Sequence, residues 1–269
     1  MLLRVDHVTV YSYDRAVRGI VQSHRLTPSV FAGQSVVSWD VSVTEGARGA
    51  SFRDGAGDWI EAWVVKGPVS QIEVRVAGLV QTHDLAGVLR GHREMVPPEA
   101  YLRESPATKL DMALAKLARA ADDAPDRLSA AHALMQAVAD AVDYKPGATD
   151  AKTTAAEALA QGEGVCQDHS HILSAVARAA GIPARYVSGY LFADEQGQAH
   201  EAAHAWAEMH LPGLGWVGFD AANRCCPDDR YIRLGSGLDA QDAAPIRGSA
   251  RSTGTESLTV QVAVQSVQQ

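Results

Sequence analysis

Hydrophobic and polar residues alternate along most of the first eighty positions. Val37, Trp39, Val41 and Val43 stand at every second place, and so do Ile72, Val74, Val76 and, further on, Val80. Side chains two apart share one face of a strand, so this period predicts half-buried β-strands from residue 1 to about 82. Gly-rich breaks at Gly46–Gly49 and Asp54–Gly57 are the expected turns. Several short strands in succession predict an antiparallel β-sandwich. Trp59 and Trp63, on one strand face, are expected in its core.

The alternation fades between about 83 and 107, where Pro97, Pro98 and Pro106 interrupt it. A boundary here divides the chain into an N-terminal unit, 1–95, and a second unit, 96–269. Beyond it the period changes to that of a helix. Leu110, Leu114, Leu117 and Ala121 mark one helix, and Leu128, Ala131, Leu134, Met135 and Val138 a second, with Pro125 near its start. His132, within the second, carries no assigned role. Lys145–Thr154 reads as a loop. The stretch GEGVCQDHSHILSAVARAAG, 162–181, then repeats Ile172, Leu173, Val176, Ala179 and Ala180 at helical spacing up to Gly181 and Pro183, a usual stop. Strand signals return with ARYVSGYLF (184–192), a turn at Asp194–Gly197, and two runs, His204–Leu211 and Trp216–Asp220, around Pro-Gly-Leu-Gly. Leu258, Val260, Val262 and Val264 predict a closing strand. The fold class is therefore α+β, an antiparallel β-sandwich followed by helices packed on an antiparallel sheet.

Composition narrows the choice of partners. The net charge of −8 lacks the basic footprint that nucleic acid requires. No apolar run is long enough to span a membrane, and the N-terminus alternates rather than forming an apolar core, so no signal sequence is expected in it. Three cysteines give no disulfide framework, and Cys225 and Cys226 are adjacent, so the expectation is a reducing cytoplasm.

Cys166 falls at the first turn of the 162–181 helix. Orphan N–H groups and the positive end of the helix dipole there favour an anion, which makes this sulfur the candidate nucleophile. A thiol nucleophile needs a base, and the base a third group to orient it. His204 and Asp220, on the two arms of the expected hairpin, can supply both. If they are directly opposed, Trp206 faces Gly218 and Glu208 faces Trp216. An even loop without a bulge would turn Asp220 to the other sheet face. The pattern thus predicts an odd-length loop, or a bulge, before Trp216.

Cys166 in GVCQDHSH, then GIPARYVSGYL, HAWAEMHLPGLGWVGFD and Asn223 together resemble the core of the bacterial transglutaminase-like superfamily, whose fold is papain-like. VDHVTVYSYD and HRLTPS resemble the β-sandwich domain that precedes this core in one bacterial branch, and DAAPIRGSARSTGTESLTVQVAV resembles the end of that branch. The resemblance covers nearly the whole chain. It implies Cys166 as nucleophile, His204 as base and Asp220 as orienting carboxylate, acting on a peptide, isopeptide, glutamine side chain or small amide without a cofactor. The branch commonly has Asp-Pro-Thr-Asn where this chain has Asp220-Ala221-Ala222-Asn223, a change that removes no needed functional group.

His200–His204 also spells HEAAH, and HEAAHAWAEMH follows the long zinc-protease pattern apart from Ala207 in place of glycine. That motif requires a helix, whereas Ala205–Leu211 alternates; no methionine follows Met209 to form the turn beneath the metal. No metal is therefore expected. Supporting or substrate-binding roles are open for Asp168, at the helix start; for His169, three residues after Cys166 and placed to face the cleft; for Trp206, beside the base; and for Asn223. His171 is expected to hydrogen-bond within the core. A scaffold that keeps the fold without turnover is the non-enzymatic alternative.

Overall fold

A computed structural model describes residues 1–192, 203–251 and 254–267. The first part is built from β1 (Leu2–His24), β2 (Gln34–Val43), β3 (Gly46–Arg53) and β4 (Trp59–Thr82). β1 and β4 pair antiparallel along almost their whole length, with register shifts between Ser12 and Gly19 where both bend. One limb of β4 carries β2 and the other carries β3. The result is one six-stranded sheet doubled over. Ile20, Trp63 and Val65 from one limb meet Val41, Val43, Val74 and Val76 from the other in a shared core. The alternation thus does produce two facing layers, but from a single sheet. Trp63 lies in the core, whereas Trp59 is half-buried and carries the Arg53 guanidinium on its ring. The turn after β2 falls at Thr44–Glu45, so Gly46–Gly49 belong to β3 rather than to a turn.

The second part holds α1 (Met112–Ala118), α2 (Arg127–Ala141), a two-residue strand β5 (Asp143–Tyr144), α3 (Ala155–Gln161), its parallel partner β6 (Glu163–Gly164) and α4 (Cys166–Ala179). The side chains of Asp111 and Asp126 accept first-turn N–H groups of α1 and α2. Thr154 and Glu157 cap one another reciprocally at the start of α3. That helix escaped the periodicity reading because its buried residues are only Ala155 and Ala158. The helices cover one face of an antiparallel sheet in the order β10–β7–β8–β9, where β7 is Ala184–Leu191, β8 Ala203–Leu211, β9 Gly215–Phe219 and β10 Tyr231–Gly237. Leu134, Val138, Ile172, Leu173 and Val176 pack there on Ala207, Met209, Leu211, Val217 and Phe219. The turn expected at Asp194–Gly197 lies outside the described residues.

Two further strands, β11 (Ile246–Ala250) and β12 (Glu256–Ser266), return to the first part and pair with the outer edge of β1. A division at 95/96 gives the closing strand to the second unit; the doubled sheet takes it, with β11, into the first. Both cover an edge that would otherwise present unpaired backbone groups. The segment between the units is also built in. Gly218 N–H donates to Gly87 O and Leu89 N–H to Trp216 O, each at 2.9 Å, so this segment closes the edge of β9.

The two sheets are joined by buried ions. Glu208 on β8 accepts from Arg185 Nε at 2.7 Å and from Arg233 Nε at 2.8 Å. Arg233 reaches across to Asp58 at 2.8 Å and Ser29 Oγ at 2.6 Å, while Arg185 lies 3.9 Å from the Trp216 ring centroid and bonds Glu94. Burying an unpaired ion costs several kcal/mol, so these charges can lie inside only because they meet there. Burial pushes the Glu208 carboxyl up, but the two guanidinium groups outweigh it and hold it down at about 2.

Candidate active site

Cys166 is the first residue of α4, and Val165 before it is extended, with φ −117° and ψ −175°. A valine side chain cannot cap a helix, so Asp168 does so from within the first turn. Its Oδ2 accepts Val165 N–H at 2.8 Å and the Thr149 hydroxyl at 2.6 Å. Asp168 is fully buried, so it supports the turn that carries the sulfur rather than lining a surface. His169 is also turned inward. Its Nδ1 lies 3.0 Å from Val165 O and its Nε2 3.0 Å from Val142 O, which removes it from the cleft that its spacing from Cys166 suggested. His171 Nε2 accepts Ala240 N–H at 3.0 Å, a core hydrogen bond; burial pushes its imidazole down to about 4, so it is neutral.

The hairpin delivers the other two groups. β8 and β9 are linked by three residues, Pro212, Gly213 and Leu214. Leu214 N–H donates to Leu211 O at 3.2 Å, and Gly213 has φ 79°, as a type II turn with proline before glycine requires. The register pairs Glu208 with Gly218 and His210 with Trp216. Both pairs are displaced by two residues from the direct opposition expected of His204 and Asp220. A shift of two preserves the face, and the odd loop does the same. His204 and Asp220 are therefore diagonal rather than opposed neighbours, still within reach of one another.

His204 Nε2 lies 2.6 Å from Asp220 Oδ2, with both side chains buried. The Cys166 sulfur is near enough to the same imidazole to favour its protonated form, and with Nε2 committed to Asp220, Nδ1 is the nitrogen left to face the sulfur. Burial alone would lower the His204 pKa. The Asp220 charge and hydrogen bond, together with Cys166, outweigh it and push the imidazole up to about 10. Burial likewise raises Asp220, but His204, Asn223 and Tyr231 pull it below the ordinary carboxylate range. At neutral pH the pair is an imidazolium and a carboxylate.

Asn223 holds the carboxylate from both sides: its Nδ2 donates to Asp220 Oδ2 at 2.7 Å and its N–H to Oδ1 at 3.2 Å. Trp206 is buried, its ring stacked at 26° to that of His204 with centroids 6.4 Å apart. A Cβ at Gly189 would fall 2.6 Å from the Trp206 ring and 2.2 Å from Ile232 O, so only glycine admits the indole here. Sequence reasoning missed Tyr231, whose hydroxyl donates to Asp220 Oδ2 at 2.9 Å. It opens a strand that the period-two reading did not find, and no signal marked it. Burial raises the thiols of Cys225, to about 11, and Cys226.

The zinc-protease pattern does not match the backbone, since His204 and His210 both lie on extended β8; His200 and Glu201 are outside the described residues. Among the described residues no group of three or more His, Cys, Asp and Glu is placed to hold a metal ion.

A cysteine at a helix start, beside a histidine that a carboxylate orients on an adjacent hairpin, is the arrangement of papain-like and transglutaminase-like proteins. The sequence profile of the transglutaminase-like superfamily matches residues 115–221, and that of the bacterial transglutaminase-like N-terminal region matches residues 3–81. The chain belongs to this superfamily. It is 28% identical to an uncharacterised protein of Mycobacterium leprae over 97% of this chain and 98% of that one. Over 42% of this chain and 19% of the other, it is 31% identical to a protein-glutamine gamma-glutamyltransferase of Pseudomonas aeruginosa. A Cytophaga hutchinsonii protein solved as a candidate cysteine protease shares the fold, with TM-score 0.77 and 22% identity over 100% of this chain and 91% of that one.

Proposed function

We propose that this protein is an enzyme that transfers acyl groups from amide bonds through a thioester on Cys166. The observation that carries this reading is the convergence of Cys166, at a helix N-terminus, on His204, whose imidazole is hydrogen-bonded to Asp220. The Cys166 thiolate attacks the carbonyl carbon. The developing oxyanion is stabilised by N–H groups at the start of α4, each such donor being worth about 2.7–4 kcal/mol. His204 gives its Nδ1 proton to the amine as the C–N bond breaks, leaving the thioester. Neutral His204 then takes a proton from the incoming nucleophile, and collapse of the second tetrahedral adduct returns the thiolate and the imidazolium.

Hydrolysis is the preferred outcome because it asks least of the site: transamidation needs a cleft that admits an amine and excludes water. The likeness to a protein-glutamine gamma-glutamyltransferase favours the second outcome, so both enter one experiment. Incubation with a peptide pool, followed by intact-mass analysis, is expected to show an acyl adduct that Cys166→Ala abolishes. An added primary amine appears in the product only if transamidation competes. Iodoacetamide at pH 6 should label Cys166 well before Cys225 and Cys226, whose thiols burial keeps protonated. Equal, slow labelling of all three with no adduct would instead make the chain a scaffold.

A further inference from the structure

Asp220 Oδ2 is the acceptor for three groups: His204 Nε2 at 2.6 Å, Asn223 Nδ2 at 2.7 Å and the Tyr231 hydroxyl at 2.9 Å. Two come from residues already associated with the site. The third comes from the far side of the sheet, at the first residue of β10. We propose that Tyr231 is a positioning residue, whose hydroxyl holds the Asp220 carboxylate and, by sharing its charge, sets how tightly His204 keeps its proton. The proposal rests on the reading of Cys166, His204 and Asp220 given above.

The placement of Tyr231 is over-determined. Its side chain is buried, and its ring stands edge-on to Trp206 at 5.5 Å and to His204 at 5.9 Å. Its backbone pairs with Leu191 of β7. Two residues on, Arg233 is bound by Asp58 and Ser29 of the doubled sheet, and its N–H donates to Gln34 Oε1 at 2.8 Å. The hydroxyl is thus held from the N-terminal unit through one turn of strand. This gives that unit a share in orienting the site.

The chemistry is that of a donor in competition. A carboxylate oxygen that accepts a phenolic O–H holds less charge for the imidazolium beside it. The titratable neighbours of this corner are Asp220, His204, Cys166 and Cys225, whose Sγ is 3.3 Å from the Tyr231 hydroxyl. Asp228 and Arg230, also nearby, pair with one another at 2.8 Å. Burial and the Asp220 charge push the Tyr231 phenol far up, so it stays protonated and can donate. The Cys225 thiol, also neutral, leaves that role unchanged.

The test is Tyr231→Phe, which keeps the ring and deletes the donor, read by NMR titration of the His204 imidazole and by the pH dependence of Cys166 alkylation. Without the hydroxyl, Asp220 holds the imidazolium more tightly, and His204 should titrate higher by about half to one pH unit. Amide turnover should fall about tenfold as the carboxylate loses one of its restraints. Cys225→Ala, which removes the thiol beside the hydroxyl, should leave His204 where it is. An unchanged His204 titration in Tyr231→Phe, or an equal shift in Cys225→Ala, would overturn the proposal, whatever happens to thermal stability. If Tyr231→Phe does not fold, 3-fluorotyrosine at this position, a stronger donor of nearly the same shape, should move His204 in the opposite direction, and no movement overturns it. Should Cys166 in the unmodified protein prove no more reactive than Cys225, the enzymatic reading fails, yet the His204 titration still decides the role of Tyr231.

Discussion

The two faces of the four-stranded sheet are made from alternate residues of the same strands and are held by different physics. Towards the helices, β8 presents Ala207, Met209 and Leu211, packed with Val217 and Phe219 under α4, and Ala205, packed with Tyr186 and Cys166. By register, the other row of the same strand is His204, Trp206, Glu208 and His210. The first face is stabilised by removal of apolar area from water, which has no preferred direction and accepts any well-fitting shape. The second is stabilised by hydrogen bonds and ion pairs, which require particular atoms at particular distances and leave a large penalty when one is missing. The difference teaches that the directional face carries the base and carboxylate of the candidate site and the junction with the N-terminal unit, while the sulfur comes from α4. Precision needed for the first is supplied along the same row as the second.

The largest expected effect comes from exchanging the faces. One glycine inserted between Gly213 and Leu214 makes the hairpin loop even, so Asp220 turns to the face opposite His204. Turnover of a reporter amide should fall on the order of 10³- to 10⁴-fold, as when a triad loses its orienting group. Two inserted glycines should restore much of it. Full activity in the single insertion would show that the parity of this loop does not matter.

Next in size are substitutions that damage each face alone. Glu208→Leu leaves Arg185 and Arg233 short of a buried counter-charge and should cost about 3–5 kcal/mol in urea unfolding. Met209→Ala, a fully buried truncation on the other face, should cost about 2–5 kcal/mol. Size alone does not separate them; pH does. The Glu208 carboxyl, held down at about 2, contributes stability that is fully present above its ordinary value near 4.5 and is lost as pH falls through 2. The cost of Glu208→Gln should therefore shrink between pH 5 and pH 2.5, while that of Met209→Ala stays level. Parallel curves for the two variants would contradict the ionic account of this face.

A smaller effect of opposite sign belongs to His204. Its imidazole is raised to about 10, so its contribution is complete below the ordinary value near 6.5 and disappears as pH rises through 10. The stability gap between the unmodified protein and His204→Gln should be widest near pH 6 and close by pH 10.5. A gap that widens with pH would mean that the imidazole is neutral in the fold.

Much of this was legible in the residues themselves. Alternation marked β2, the second half of β4 and the closing strand; helical spacing and the Gly181 stop marked α4, and so put Cys166 at a helix start. Face and parity require an odd-length loop, or a bulge, before Trp216, and the three residues Pro212–Leu214 provide the loop. These features are set by neighbours in sequence, through side-chain period and turn chemistry, and local pattern is sufficient to specify them. The diagonal offset of His204 and Asp220, the doubling of one sheet into two layers, the return of β11 and β12 to β1, and the partners of Glu208 were not legible. Arg233 and Asp58 are 175 residues apart, and each alone looks like a charge for the surface. Tyr231 joins Asp220 only because β10 lies at the far edge of its sheet, anchored from the N-terminal unit. Contacts between distant segments depend on how whole elements dock and which charges they trap between them. That docking is decided by the tertiary structure.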